Sequence, residues 1–346
     1  MGDSQIRTKT YIIAEAGVNH NGSLERALKL CDIAKEAEAD AIKFQTWITD
    51  KIVVKGAPQA KYQERNTKQG RDQYSLLKEL ELNQKDFIEI KNYCDKINIE
   101  FLSTPDDEES LHFLVSKLGL QKIKIGSGEV TNLPFLKEVS SLSREIILST
   151  GMSDLVDIKN AISIMDNPPK AKLSLLHCTS SYPCPYEAVN LNAIHSMKKH
   201  FKYSIGYSDH TMGISVSLGA VAMGAHIIEK HFTQDKNLNG PDHKCSLDPI
   251  ELKKMITQIR LLEKSLGSFD KNIQDIEIDS RKTVTKTITS IKDIPPGTIF
   301  DKNNIALLRT GKEGINGQNW FSLVGKRSKH NYKKFETIFN DELDKN

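Results

Sequence analysis

Tyr11-Ile-Ile-Ala-Glu-Ala-Gly17 is a short, apolar, β-rich run with a carboxylate near its end. Ser23–Ala39 follows it, with Leu24, Ala27, Leu28, Cys31 and Ala34 recurring at helical spacing. The same unit repeats along the chain. Apolar runs at Ala41–Gln45, Glu100–Thr104, Lys122–Ile125, Glu145–Ser149, Leu173–Cys178, Tyr203–Gly206 and His226–Glu229 alternate with amphipathic helical stretches. In the last unit Asp248-Pro249 reads as an N-cap with proline in the first turn, Glu251–Leu266 as the helix and Gly267 as its close. Eight strand–helix pairs in roughly 260 residues is the size of a (β/α)8 TIM barrel, an α/β fold; a doubly wound open sheet would not demand eight.

Beyond the barrel the grammar changes. Residues 1–267 read as the barrel, 268–283 as a polar linker and 284–346 as a small β-rich domain with Pro/Gly turns such as Asp293-Ile-Pro-Pro-Gly297. The segment Asp50 to Gln73 is long for a βα loop, and long loops there usually cover or shape a substrate site.

Composition narrows the class. The formal charge of +3, from 48 basic and 45 acidic residues, is spread without a dominant basic block, which argues against nucleic acid as a partner. Lys198-Lys199, Lys333-Lys334 and the ten C-terminal residues read as solvated faces. The polar stretch from Met1 to Thr10 shows no signal-peptide pattern, and no run is apolar enough to span a bilayer. Five scattered cysteines without a CxxC suit reduced thiols, so the expected compartment is cytoplasmic.

The strands exit into reactive side chains. Glu15 and Asn19, Lys43 and Gln45, Ser103 and Thr104, Lys124 and Ser127, Ser149 and Thr150, His177 and Thr179, Ser208 to His210, and Glu229 and His231 all lie at strand ends. In a barrel those ends line one mouth, where catalytic groups sit. His210 and His231 follow neighbouring strands and could hold a divalent cation such as Mn, Fe or Zn. Alternatively they are two hydrogen-bonding histidines at a polar rim. Lys43 and Lys124 sit in apolar context and need anionic partners, either a structural Glu15 or Glu129 or an anionic ligand. Lys124-Ile-Gly-Ser-Gly-Glu129 with Ser149-Thr-Gly151 makes a candidate phosphate cradle of hydroxyls, amides and one lysine, although Gly-Ser-Gly alone is more often a turn. Glu15, Glu129 and Asp242 are candidate acids or sugar-hydroxyl acceptors, with no one of them assigned as general base.

Nine motifs in order resemble the sialic acid (nonulosonic acid) synthase family. They are Ile13-Ala-Glu-Ala-Gly-Val-Asn-His-Asn-Gly22, Ile42-Lys-Phe-Gln45, Ser103-Thr-Pro105, Lys124-Ile-Gly-Ser-Gly-Glu129, Leu148-Ser-Thr-Gly-Met152, Tyr182-Pro-Cys-Pro-Tyr186, Gly206-Tyr-Ser-Asp-His-Thr211, Glu229-Lys-His-Phe-Thr233 and Gly240-Pro-Asp-His243. The C-terminal domain is similar to the SAF (antifreeze-like) domain. The resemblance implies condensation of phosphoenolpyruvate with an open-chain N-acetylated amino sugar, with release of phosphate by C–O cleavage. N-acetylmannosamine would give N-acetylneuraminate; a 6-deoxy diacetamido sugar would give N,N'-diacetyllegionaminate. It also implies Mn2+ on His210 and His231, and phosphoenolpyruvate contacts from Lys43, Lys124, Ser127, Ser149 and Ser208, with Thr104 nearby. Glu15, Gln45, Tyr182 and Asp242 would meet the sugar, and Glu129 would lie near the reacting carbons. The family forms a domain-swapped homodimer, in which an arginine matching Arg309 reaches the partner's acceptor. The chain departs from many relatives at Leu308-Arg-Thr-Gly-Lys-Glu-Gly314, which lacks a proline, at Ser180, and at Asp106-Asp107.

Two other classes compete. A Schiff-base aldolase would use Lys124 on pyruvate. A non-catalytic carbohydrate- or ice-binding protein would use the terminal domain and leave the polar barrel mouth without a role.

Overall fold

In the computed structural model, which describes residues 9–343 apart from 68–69 and 167–170, the chain forms two compact units, Met1–Gly267 and Ser268–Asn346. The first contains eight parallel strands: β1 (Tyr11–Gly17), β2 (Ala41–Thr46), β3 (Glu100–Pro105), β4 (Lys122–Ile125), β5 (Glu145–Ser149), β6 (Lys172–Cys178), β7 (Ser204–Asp209) and β8 (Ile227–His231). Their order, β3-β2-β1-β8-β7-β6-β5-β4, bends round until β3 and β4 lie side by side, which is a (β/α)8 barrel.

The strands read as continuous apolar runs because both faces are buried. One face of β1 and its neighbours packs on the surrounding helices through Ile12, Ala14, Ile42, Phe44, Phe101, Ile123, Ile146 and Leu175. The other face fills the barrel with a layer of Ile13, Ala41, Leu102, Ile147, Leu176 and Ile227. Side chains alternate along a strand, so this layer fixes which later residues also point inward.

Helix ends follow capping chemistry. Ser23 caps Leu24–Glu36, and Asp248 caps Pro249–Ser265 with a reciprocal bond from Glu251. The first helix therefore stops three residues short of the predicted Ala39. The long segment after β2 is not irregular throughout: it holds the helices Thr49–Ile52 and Lys61–Thr67 and leads into Gln73–Leu80.

The second unit pairs β9 (Thr287–Ser290) with β10 (Ile305–Leu308) antiparallel around Ile288, Ile294, Phe300, Ile305, Ile315, Leu323, Tyr332 and Ile338. Residues 268–283, expected as a linker, carry most of an exposed helix, Ile278–Val284. The solvated reading of the C-terminal residues needs correction. Thr337, Ile338 and Glu342 are buried, because Glu342 accepts hydrogen bonds from the Lys329 and His330 backbone N–H groups and the Tyr332 hydroxyl. Residues 344–346 lie outside the described part, as do Met1 to Thr8. Lys198 is likewise more than a solvated charge, since it donates to the Met223 and Gly224 carbonyls at 3.0 and 2.7 Å. Among the described residues no helix is long and apolar enough to cross a membrane.

Candidate active site

Two residues beyond the apolar layer the barrel interior becomes polar. Ile13 is succeeded by Glu15, Ala41 by Lys43, Leu102 by Thr104, Ile147 by Ser149 and Ile227 by Glu229, all pointing the same way by strand alternation. Lys43 Nζ lies 2.8 Å from Glu15 Oε2, 3.8 Å from Glu229 Oε2 and donates to Thr104 Oγ1 at 2.9 Å. Lys124 Nζ donates to Ser149 Oγ at 2.6 Å and to the Ile125 carbonyl at 3.0 Å, and lies 3.6 Å from Glu229 Oε1. Ser208 Oγ donates to that same Glu229 oxygen at 2.9 Å. All of these groups are buried.

Burial opposes every charge in this cluster, and the neighbours decide the outcome. Burial works to raise Glu229, but Lys124 and Lys43 on its two sides overcome it and hold the carboxyl down at about 2. Glu15 is pushed up to about 7 by burial, with Glu229 adding repulsion that Lys43 does not fully offset. Burial would lower Lys43, yet Glu15 and Glu229 outweigh it and keep the ammonium charged. Lys124 stays lowered by burial. The arrangement is two ammonium groups around one firmly ionised carboxylate, so an arriving anion would find cations whose counter-charge is internal and displaceable.

Beside Lys124, the Gly151 N–H donates to Ser127 Oγ at 2.9 Å, and Ser127 Oγ lies 3.1 Å from Cys178 Sγ. Glycine is required at 151 because a Cβ there would meet Ser180 Oγ at 2.4 Å and Cys178 Sγ at 2.7 Å. Lys124, Ser149, Ser127 and this backbone amide therefore converge as a donor cradle of the kind that suits phosphate.

His210 follows β7 and His231 ends β8, with ring centroids 5.6 Å apart. His210 Nδ1 donates to the Thr179 carbonyl at 2.9 Å, which leaves Nε2 as its lone-pair nitrogen. Burial lowers the proton affinity of His210 and, still more, of His231, so both are neutral imidazoles. His231 Nδ1 is buried with no hydrogen-bond partner and lies 4.0 Å from Asp242 Oδ2. Gly17, at φ +51°, leaves that ring its room, since a Cβ would lie 3.3 Å from His231 Nδ1. This donor set fits a divalent cation: two imidazole lone pairs and a nearby unpartnered carboxylate oxygen, Asp242 Oδ1. Among the described residues no group of three or more His, Cys, Asp or Glu side chains is gathered closely enough to hold a metal, so the histidine pair with Asp242 is a partial donor set.

Tyr182 packs over the pair, 4.2 Å from the His210 ring and edge-on to His231 at 5.8 Å. Its outer face stacks on Tyr62 at 4.9 Å, from the helix Lys61–Thr67 in the long segment after β2. Asn66 of that helix donates to the Pro241 carbonyl at 2.6 Å, tying it to the loop that carries Asp242. Gln45 Nε2 donates to Glu15 Oε1 at 3.2 Å.

The barrel thus brings together Glu15, Lys43, Gln45, Thr104, Lys124, Ser127, Ser149, Tyr182, Ser208, His210, His231 and Asp242. Glu129 accepts from Asn132 Nδ2 at 2.7 Å and lines a cavity of about 340 Å3 with Asp106, Lys51 and Gln73, where buried Asp106 feels the charges of Glu129, Lys43 and Lys124 together. Arg309, exposed just after β10, belongs to the second unit. Sequence reasoning put Glu229 at a strand end but gave it no role, although it is the hub between both lysines. The signal was there: Glu229 and His231 are two apart and must share the inward face. Tyr62 and the buried pair Asp209–Lys230 were missed, because nothing local marks a stacking partner or a cross-strand register.

A parallel barrel with a cationic cradle and a histidine pair at its mouth defines an enzyme that handles anionic substrates. The NeuB family profile matches residues 30–271. The chain is 45% identical over 332 residues to N,N'-diacetyllegionaminic acid synthase of Campylobacter jejuni, covering 95% of this chain and 99% of that one. It is 44% identical to the enzyme of the same name from Legionella pneumophila, covering 95% and 93%. The crystal structure of N-acetylneuraminic acid synthetase from Leptospira borgpetersenii superposes with a TM-score of 0.70 at 35% identity, covering 82% of this chain and 96% of that one. The chain belongs to the NeuB family and is an enzyme of its synthase class.

Proposed function

We propose that this chain condenses phosphoenolpyruvate with an open-chain N-acetylated amino sugar and releases phosphate, forming a nonulosonic acid. The single observation that carries the reading is the cluster in which Lys43 and Lys124 flank Glu229 beside the Ser127–Gly151 cradle. It offers an enol phosphate two cations and a set of aimed donors. Of the two acceptors, the 6-deoxy diacetamido sugar, giving N,N'-diacetyllegionaminate, is favoured by the Campylobacter and Legionella relatives. N-acetylmannosamine is the second reading, supported by the Leptospira neighbour at lower identity.

In this reading Lys43, with Thr104, and Lys124, with Ser127, Ser149 and Ser208, hold the carboxylate and phosphate of phosphoenolpyruvate. Glu15, Gln45, Tyr182 and Asp242 position the sugar so that its aldehyde carbon meets C3 of the enol. A new C–C bond forms there as the aldehyde oxygen takes a proton to become a hydroxyl. Water adds to C2 and gives up a proton in exchange, and the C–O bond to phosphate then breaks as the C2 hydroxyl becomes the keto oxygen. Glu15, pushed up to about 7, can accept the proton from that water, and the firmly ionised Glu229 among the lysines can stabilise the positive charge developing at C2. His210 and His231 would hold a divalent cation such as Mn2+, which would supply Lewis-acid polarisation of the aldehyde oxygen. The Schiff-base reading at Lys124, whose proton affinity burial lowers, is separated from this one by borohydride trapping of pyruvate.

The second unit is read as an SAF domain whose Arg309 meets the acceptor of a partner subunit in a homodimer. Exposed Phe269, Ile276, Ile278 and Phe321 are consistent with an assembly surface on that part of the chain. Five free, buried cysteines support a reducing, cytoplasmic setting. The test is phosphate release from phosphoenolpyruvate with Mn2+ and each acceptor in turn. Release with the diacetamido sugar, inactivation by EDTA and no borohydride trapping of pyruvate are expected. No phosphate with either acceptor overturns the proposal.

A further inference from the structure

Strands β7 and β8 leave the barrel in register, Ser208 opposite Glu229 and Asp209 opposite Lys230, and each then delivers a histidine. The inward rung, Ser208 with Glu229, belongs to the cluster described above. The outward rung is a second, separate ion pair. Lys230 Nζ lies 3.0 Å from Asp209 Oδ2, and the two side chains are 1% and 0% exposed. Both are sealed between the barrel wall and its helices, where no substrate reaches them.

The partners of this pair enclose His210. Asp209 Oδ1 accepts from the Thr211 N–H at 2.9 Å and the Thr211 hydroxyl at 2.7 Å. Its Oδ2 accepts from Ser217 Oγ at 2.6 Å, on the helix Ser215–Ala222. Lys230 Nζ donates to the Thr211 carbonyl as well. The carboxylate just before His210 therefore grips Thr211 just after it, and the residue before His231 is fastened to the same knot. Stability alone is a weak reason for such a pair: two buried charges seldom outperform apolar residues of similar size, because desolvation consumes the Coulombic gain. What a charged, directional knot provides and packing does not is a fixed distance and azimuth between two strand ends.

We propose that Asp209 and Lys230 are positioning residues that set the separation and orientation of the His210 and His231 imidazoles. The proposal rests on the reading that these two histidines hold a divalent cation. In the full-length protein stripped with EDTA, Mn2+ affinity is measured by the loss of free-Mn2+ EPR signal, beside the thermal midpoint and phosphoenolpyruvate affinity by calorimetry. Lys230→Met should weaken Mn2+ binding by about tenfold or more while phosphoenolpyruvate affinity stays within about twofold. Lys230→Met alone leaves Asp209 buried without its cation. The double variant Asp209→Asn/Lys230→Met removes both charges and should recover the thermal midpoint towards wild type without recovering Mn2+ affinity. A folded double variant that binds Mn2+ as wild type does would overturn the positioning role and leave a purely structural pair. Wild-type protein that binds no Mn2+ would instead overturn the two-histidine cation reading.

Discussion

Glu229 is the residue on which the barrel mouth turns. Its carboxylate serves as counter-ion to both Lys43 and Lys124, and an incoming enol phosphate must compete with it for them. Glu229→Gln keeps the shape and the Ser208 contact but removes the charge. Phosphoenolpyruvate should then bind more tightly, by about tenfold, since a unit charge near 4 Å is worth kilocalories even at a high effective dielectric. Turnover should fall by about a hundredfold as the charge that stabilises the developing positive centre is lost; calorimetric Kd and steady-state kcat check the opposite signs. Asp242 makes a prediction about pH. Burial raises it to about 7, whereas an unfolded chain ionises it near ~4. Between those values the folded state holds a proton that the unfolded state has lost, so stability falls as pH rises from about 4 to about 7. Asp242→Asn removes that penalty. With EDTA present, its Tm should exceed wild type at pH 8 by about 3 °C or more and converge with it near pH 4.

At the scale of elements, the helix Lys61–Thr67 is the piece of the long β2 segment that reaches the site. Tyr62 stacks on Tyr182, and Asn66 holds the Asp242 loop. In the proposed reading both contacts belong to the acceptor side of the site. Tyr62→Ala should therefore raise the acceptor KM by about tenfold and leave the phosphoenolpyruvate KM within about twofold. Tyr62→Phe retains the ring and should behave as wild type. An equal rise in both constants would place Tyr62 in general support of the barrel instead.

For the whole molecule, the barrel and the small β unit each have their own apolar core. This separates the roles of the two units for mutagenesis. Arg309 lies on the second unit, so Arg309→Ala should leave the barrel's phosphoenolpyruvate affinity intact while weakening acceptor use by about tenfold or more. Sedimentation of the wild-type chain should give a dimer mass. A monomer active at full rate, or an Arg309→Ala protein with both affinities reduced alike, would count against a capping role for that arginine.

Much of the barrel was determined by local sequence, because strands buried on both faces must be apolar throughout and their helices must show one apolar stripe. β1, β4 and β5 end where the apolar runs end. β7 differs: its apolar run stops at Gly206, yet the strand continues to Asp209. Inward-facing Ser208 and outward-facing Asp209 have the polarity of a turn, and only burial by neighbouring strands makes them sheet residues. Lys43, Lys124, Ser149, His210 and His231 were recognisable singly, as polar groups where apolar ones were due. Which of them meet was decided by the tertiary structure. Barrel register alone sets Glu229 between two lysines and Lys230 against Asp209, and a helix from a remote loop lays Tyr62 on Tyr182. The physical reason is that alternation and propensity act over a few residues, whereas register and closure are settled by contacts between strands far apart in sequence.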